Sequence, residues 1–118
     1  MWYPETQSKN YLNSALDLPA TGHEQDWEIE LADVDRIEGF IDFYEQSDLN
    51  PNEKKALVAL ILASFEEALQ ISDFDKRLWL KLVKIITYES FLFDDILSIW
   101  KSNDEEEAFA IAEYIRDI

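Results

Sequence analysis

The sequence contains no cysteine, two glycines and three prolines among its 118 residues. Without cysteine the chain has no disulfide, no thiol nucleophile and no cysteine-ligated zinc site. Sheet-rich folds draw heavily on glycine and proline for their turns, so the scarcity of both residues favours helices. The composition therefore predicts a helical protein from a reducing compartment, and we expect it to be cytoplasmic.

Long apolar runs are also missing. The longest is ten residues, Ala56 to Phe65 with Ser64 inside it, which is about half of the length that a membrane-spanning helix needs. The first residues, Met1 to Glu5, lack the basic and apolar regions of a signal peptide. With 47% hydrophobic residues the chain has enough apolar material for one buried core, which argues against intrinsic disorder. We expect a folded domain without membrane contact.

Residues suited to catalysis or metal binding are sparse. His23 is the only histidine, so the sequence has no Glu-x-x-His di-iron motif and no readable serine–histidine pattern. It has no glycine-rich phosphate loop either. Residues 48–52 imitate the start of a calcium loop, but Glu53 stands where glycine is required and Ala59 where the bidentate glutamate belongs. We therefore expect no enzyme activity, no metal and no cofactor.

Apolar periodicity from residue 33 onward predicts an all-α, single-domain bundle of four to five helices. Asp33 is suited to cap the first helix, which carries Phe40 on its apolar face. Residues 50–53, Asn-Pro-Asn-Glu, have the pattern of a capping box with proline at the first helical position. The helix that they begin extends to about Gln70 and is apolar on nearly every side, which is typical of a central helix.

Three more helices are predicted to follow. Ser72 or Asp73 begins the third, residues 90–101 form the fourth, and Asn103 caps the last, whose first turn is strongly acidic. No repeat or linker divides the chain. The second and third helices are predicted to share one core through six residues: Leu60, Ile61, Phe65, Trp79, Leu82 and Ile86.

Residues 1–32 are predicted to form an irregular N-terminal arm. Ser8 is suited to cap a short helix that ends near Leu16. Between residues 27 and 31 apolar residues alternate with glutamates. This is a strand pattern, although a helical turn or an extended segment remains open. The aromatic residues of the arm are expected to pack beneath it: Trp2, Tyr3, Tyr11 and Trp27.

Charge is the most informative property of the sequence. The chain has 26 acidic and 10 basic residues and a formal net charge of −16. Residues 24–48 contain ten acidic residues and one basic residue, and residues 104–118 contain six and one. Such a field repels nucleic acids and anionic membranes and attracts basic proteins. Clustering favours a binding role over solubility alone, although a basic stripe of Arg77, Lys81 and Lys84 can neutralise part of the charge.

Four acidic residues share one helix face opposite the apolar stripe: Asp35, Glu38, Asp42 and Glu45. We predict that this face contacts a basic protein partner. Acidic residues of the arm and of the C-terminal cluster are predicted to join it: Glu28, Glu30, Asp104 and Glu105. We expect a monomer or a weak homodimer with no direct contact to nucleic acid.

Three segments resemble the small acidic immunity proteins that bacteria make beside polymorphic or contact-dependent toxins: residues 26–30, the helix 33–46, and residues 50–53 leading into the apolar helix. Together they cover about half of the chain. The resemblance implies a cytoplasmic inhibitor that covers the active site of a toxin domain, often a basic nuclease. The alternative is a nucleic-acid mimic of the phage anti-restriction or anti-CRISPR type, whose carboxylates occupy a DNA-binding cleft. Both interpretations predict a basic partner. An enzyme or a small-molecule binder is the third alternative.

Overall fold

A central helix, α4, organises the molecule. The computed structural model describes residues 2–101, 109–116 and 118, and 69% of these are helical with none in a strand. The helices are α1 (Thr6–Ala15), α2 (Trp27–Glu30), α3 (Ile37–Gln46), α4 (Pro51–Gln70), α5 (Lys76–Tyr88), α6 (Ser90–Trp100) and α7 (Ala112–Ile115). Helix α4 contacts α1, α2, α3 and α6, while α5 packs on α3 and α6. The predicted all-α class is confirmed.

The start and the burial of α4 agree with the predictions from the sequence. The Asn50 side chain accepts the Glu53 N–H, and the Glu53 carboxylate accepts the Asn50 N–H, which completes the capping box. Every residue from Ala56 to Phe65 is buried. A helix that is apolar on all sides is stable only when neighbours cover all of it, and here they do. No helix in the described part of the chain is long and apolar enough to cross a membrane.

The predicted start of α5 was wrong. Asp75, not Ser72 or Asp73, is the cap, and its carboxylate accepts the N–H groups of Arg77 and Leu78. Ser72 has a left-handed φ of 58°, and the Asp73 N–H donates to the Ala68 carbonyl at 2.8 Å. These contacts are those of a Schellman motif, so the two residues finish α4 instead of beginning the next helix.

The N-terminal arm is more regular than its sequence suggested. Helix α1 begins after Glu5, so Ser8 lies within its first turn, where the hydroxyl donates to the Glu5 carboxylate at 3.0 Å. Ser8 is therefore not the cap. The helix ends at Ala15, and Asp17, whose φ is 50°, follows in a second Schellman motif, in which the Leu18 N–H donates to the Asn13 carbonyl.

Residues 27–30 form a helical turn and not a strand. Trp27 and Leu31, four residues apart, are buried, and Ile29 is half exposed. The Trp27 indole N–H donates to the Asn13 side chain at 2.9 Å, which joins the turn to α1. Burial beneath the arm is confirmed for Trp27, but it was wrong for Tyr3 and Tyr11, which are exposed.

The six predicted core residues of α4 and α5 all belong to one buried cluster, as predicted. Helical spacing predicts an inward face of Leu92, Ile96, Ile99 and Trp100 on α6. Ile96 and Trp100 are buried, whereas Leu92 and Ile99 are only partly buried, and Phe93 and Leu97 are buried instead. The predicted cap Asn103 and the acidic first turn lie outside the described residues. Beyond them, helical spacing predicts an apolar face that includes Ile111, Ala112 and Ile115, and all three are buried.

Candidate protein-binding surface

The acidic segment 24–48 consists of α2, a 3₁₀ turn (Val34–Arg36), α3 and the start of the connection to α4. Asp33 holds the turn in place, because its carboxylate accepts the Asp35 N–H and its own N–H donates to the Ser64 hydroxyl in α4, both at 3.0 Å. The only base of the segment, Arg36, is engaged internally. It donates to the Leu16 carbonyl, and its guanidinium carbon lies 5.1 Å from the centre of the Phe40 ring. It therefore pairs with no carboxylate of the segment.

Most carboxylates of the segment have no cationic group of a described residue within ion-pair distance. Of the ten, only Glu38 lies within 4 Å of a cationic nitrogen of a described residue, that of Arg77 at 3.4 Å. Both side chains of this pair are more than half exposed, so it contributes little to stability. Glu24, Glu30 and Asp33 accept hydrogen bonds from nearby backbone N–H groups.

The other six carboxylates have no ion pair with any residue that the structure describes, and none accepts a hydrogen bond from another described residue. They are Asp26, Glu28, Asp35, Asp42, Glu45 and Asp48, and we call them the acidic surface. Four are exposed, and two, on α2 and α3, are partly buried. Folding has therefore placed these charges at the surface without using them to hold the molecule together.

The predicted contact residues are distributed over three elements. Glu28 and Glu30 lie on α2, Asp35 lies in the 3₁₀ turn, and the remaining members of the predicted helix face lie on α3: Glu38, Asp42 and Glu45. This face is not uniformly exposed, because Asp42 is partly buried. Asp104 and Glu105 lie outside the described residues.

The basic stripe of α5 forms fewer ion pairs with described acidic residues than its three cationic side chains would allow. Arg77 pairs with Glu38, but Lys81 and Lys84 have no carboxylate within 4 Å among the described residues. Both lysines line a groove together with Glu45 and Asp48 of the acidic surface. Neutralisation at the boundary between α3 and α5 is thus limited to one exposed ion pair.

Folding does not favour the ionised form of the Glu28 carboxyl. Burial raises the pKa of the Glu28 carboxyl above its ordinary value, and the neighbouring charge of Asp26 raises it further, although the backbone N–H of Glu28 and the charge of Lys9 oppose this. A raised pKa means that the ionised form is less favourable here than in water. A cation brought by a partner would relieve this cost.

Glu66 is an important acidic residue that the sequence did not single out. Its side chain is buried, and its two oxygens accept the backbone N–H groups of Ala110 at 3.0 Å and Ile111 at 2.8 Å. Trp100 and Phe109 pack with ring centres 4.4 Å apart. These contacts hold the C-terminal segment, residues 109–116, on α4 and α6. Only its position in a nearly all-apolar helix could have indicated this role.

We expect Glu66→Ala to lower the free energy of unfolding by about 1–3 kcal/mol, because it leaves two backbone N–H groups without their charged acceptor. Chemical denaturation measures the loss, and hydrogen exchange should show it first at Ala110 and Ile111. Glu67→Ala is the matched control, because Glu67 is the next residue of the same helix and is exposed. Equal effects of the two variants would contradict the role assigned to Glu66.

A metal centre has no support in the described residues, where no group of three histidine, aspartate or glutamate side chains is arranged to hold an ion. His23 is exposed. The stretch that imitates a calcium loop forms the capping box of α4 instead. Comparisons with protein-family models, with curated proteins and with solved structures gave no match for this chain.

Proposed function

We propose that the protein binds a basic protein partner through the acidic surface. The observation that supports this most directly is the lack of compensation, since one carboxylate in ten between residues 24 and 48 has an ion pair with a described residue. Like charges that are held close together repel and add nothing to folding. A cationic partner turns this repulsion into attraction and accelerates association.

Within this class, we propose that the protein is an immunity protein that neutralises a cognate bacterial toxin. The resemblance of residues 26–30, 33–46 and 50–53 to such proteins supports the proposal, and so does the physical match. A toxin that cleaves nucleic acid needs a cationic cleft to hold phosphates. A rigid surface of carboxylates on α2, the 3₁₀ turn and α3 is suited to cover that cleft and exclude the substrate.

Co-production with a toxin tests this proposal. A candidate toxin domain, taken from the genes that neighbour the gene for this chain, is produced in bacteria together with the wild-type protein or with the variant D26N/E28Q/D35N/D42N, which neutralises four members of the acidic surface. We expect the wild type to restore growth and the variant to protect at least about tenfold less well at equal protein level. Equal protection by both would contradict the role of the acidic surface.

The same design separates inhibition of a toxin from nucleic-acid mimicry. An immunity protein protects against its own toxin only, whereas a mimic of DNA also blocks unrelated restriction or CRISPR nucleases by occupying their DNA-binding clefts. Inhibition of an unrelated DNA-binding nuclease at comparable protein concentration would therefore favour the mimic.

A further inference from the structure

A groove between α5 and the end of α3 combines charges of both signs with apolar side chains. Its volume is about 630 Å³, within the range of small-ligand sites. One wall is formed by a single face of α5, with Lys81, Lys84, Ile85 and Tyr88, which follow the spacing of neighbouring helical turns. The other wall comes from the end of α3 and its connection to α4, residues 44–49.

Several polar groups of this groove have no partner among the described residues. Lys81 and Lys84 lie more than 4 Å from every described carboxylate, although Glu45 and Asp48 line the same groove. By contrast, Lys54, which also lines the groove, forms an ion pair with Glu89 at 2.7 Å. The two walls therefore present two free positive and two free negative charges.

Tyr44 adds an independent observation. Its hydroxyl is buried and has no hydrogen-bond partner among the described residues. Burial, together with the charge of Glu89, raises the pKa of Tyr44 to about 12, so that the hydroxyl keeps its proton and remains a donor at neutral pH. A buried hydroxyl without a protein partner needs an acceptor from water or from a ligand.

We propose that this groove binds a zwitterionic peptide of about two residues with free termini. The carboxylate of the ligand lies against Lys81 and Lys84, and its ammonium group lies against Glu45 and Asp48. The termini of an extended dipeptide are about 7 Å apart, and the proposal requires one molecule to reach both walls with them. Its carbonyl groups supply acceptors for donors of the groove, and the apolar surfaces of Ile85 and Tyr88 accommodate a hydrophobic side chain.

The charge balance favours this ligand over a simple anion or cation. Lys81 and Lys84 would attract an anion, but Glu45 and Asp48 would repel it to a similar extent. A cation would be attracted by the two carboxylates and repelled by the two lysines. Only a ligand with both charges gains at both walls. The groove shares Glu45 and Asp48 with the acidic surface, but binding of a small zwitterion needs no basic protein, so the inference does not rest on the proposed function.

Titration with the dipeptide alanyl-phenylalanine, followed by ¹H–¹⁵N NMR, tests the proposal. We expect saturable shifts in the amides of residues 44–49 and 81–88, with a dissociation constant at or below about 1 mM. The N-acetylated peptide and the peptide amide each lack one charge and should bind at least about tenfold more weakly. The variant K81Q/K84Q should weaken binding by a similar factor, whereas Lys76→Gln, on the same helix but outside the groove, should not.

Three results would overturn the proposal: no saturable shift up to about 20 mM peptide, shifts that map outside the groove, or equal affinity for the free and the blocked peptides. Because no basic protein is present in the titration, such a failure leaves the proposed function untouched. Failure of the protection experiment would likewise leave the groove untouched, since its four substitutions spare Glu45 and Asp48.

Discussion

Replacing Leu60 by alanine is expected to lower the free energy of unfolding by about 2–5 kcal/mol. Leu60 lies at the middle of α4 with its side chain fully buried, and α4 is the helix that most other helices contact. The substitution removes buried methyl groups and leaves a cavity, because neighbours on every side are fixed in place and cannot collapse into it. Ile61→Ala should have an effect of the same size, since Ile61 is equally buried.

Urea denaturation of the wild type and of both variants measures this loss. Leu80→Ala is the matched control, because it is the same chemical change at a residue whose side chain is 52% exposed on α5. It should cost less than about 1 kcal/mol. A loss below about 1 kcal/mol at both Leu60 and Ile61 would show that α4 is not the centre of the core.

The helices with strong local signals could be predicted from the sequence. The capping box of Asn50 and Glu53 and the apolar run after it determine α4 almost without reference to the rest of the chain, since both depend on residues within a few positions of one another. The six core residues follow from helical spacing in the same way. Their partners in space had to be inferred, but an apolar helix must be covered by whichever apolar faces are available.

The predicted secondary structure was wrong where two local sequence patterns favour different structures. Ser72, Asp73 and Asp75 are all residue types that cap helices well. Which of them caps α5 depends on where α4 ends. Because Ser72 adopts a left-handed conformation that finishes α4, the cap of α5 is Asp75. Between residues 27 and 31 the alternation fits a strand and the spacing of Trp27 and Leu31 fits a helix turn. A strand needs a neighbouring strand, and the described part of this chain offers none.

The candidate site likewise has features that the sequence reveals and features that it does not. The clustering of acidic residues is visible in the sequence, but which of them lack a cation is not, because Glu38 and Arg77 are 39 residues apart. The role of Glu66 depends on two backbone N–H groups 44 and 45 residues away. The groove is formed by α3 and α5, and neither helix alone carries its pattern of charges. Long-range pairing of this kind leaves no signature in a single sequence.

The association rate with the basic partner is expected to fall at least about tenfold at low salt in D26N/E28Q/D35N/D42N. These four carboxylates carry charge that the described part of the protein does not compensate, so their field extends outward and steers a cationic partner. Salt screens such a field, and the Debye length is about 10 Å at 0.1 M ionic strength. The variant should therefore also show a weaker dependence of the rate on salt, while its stability stays equal or rises slightly because repulsion is relieved.

The most direct test of the binding surface compares this variant with one of identical net charge. E67Q/D73N/D94N/E113Q also removes four negative charges, all from exposed residues elsewhere on the molecule. Stopped-flow association with the purified basic partner is measured for the wild type and both variants at several salt concentrations. The proposed acidic surface predicts a rate that falls at least about tenfold in the first variant and changes less than about threefold in the second. Equal rates in the two variants would contradict it, because net charge alone would then govern association.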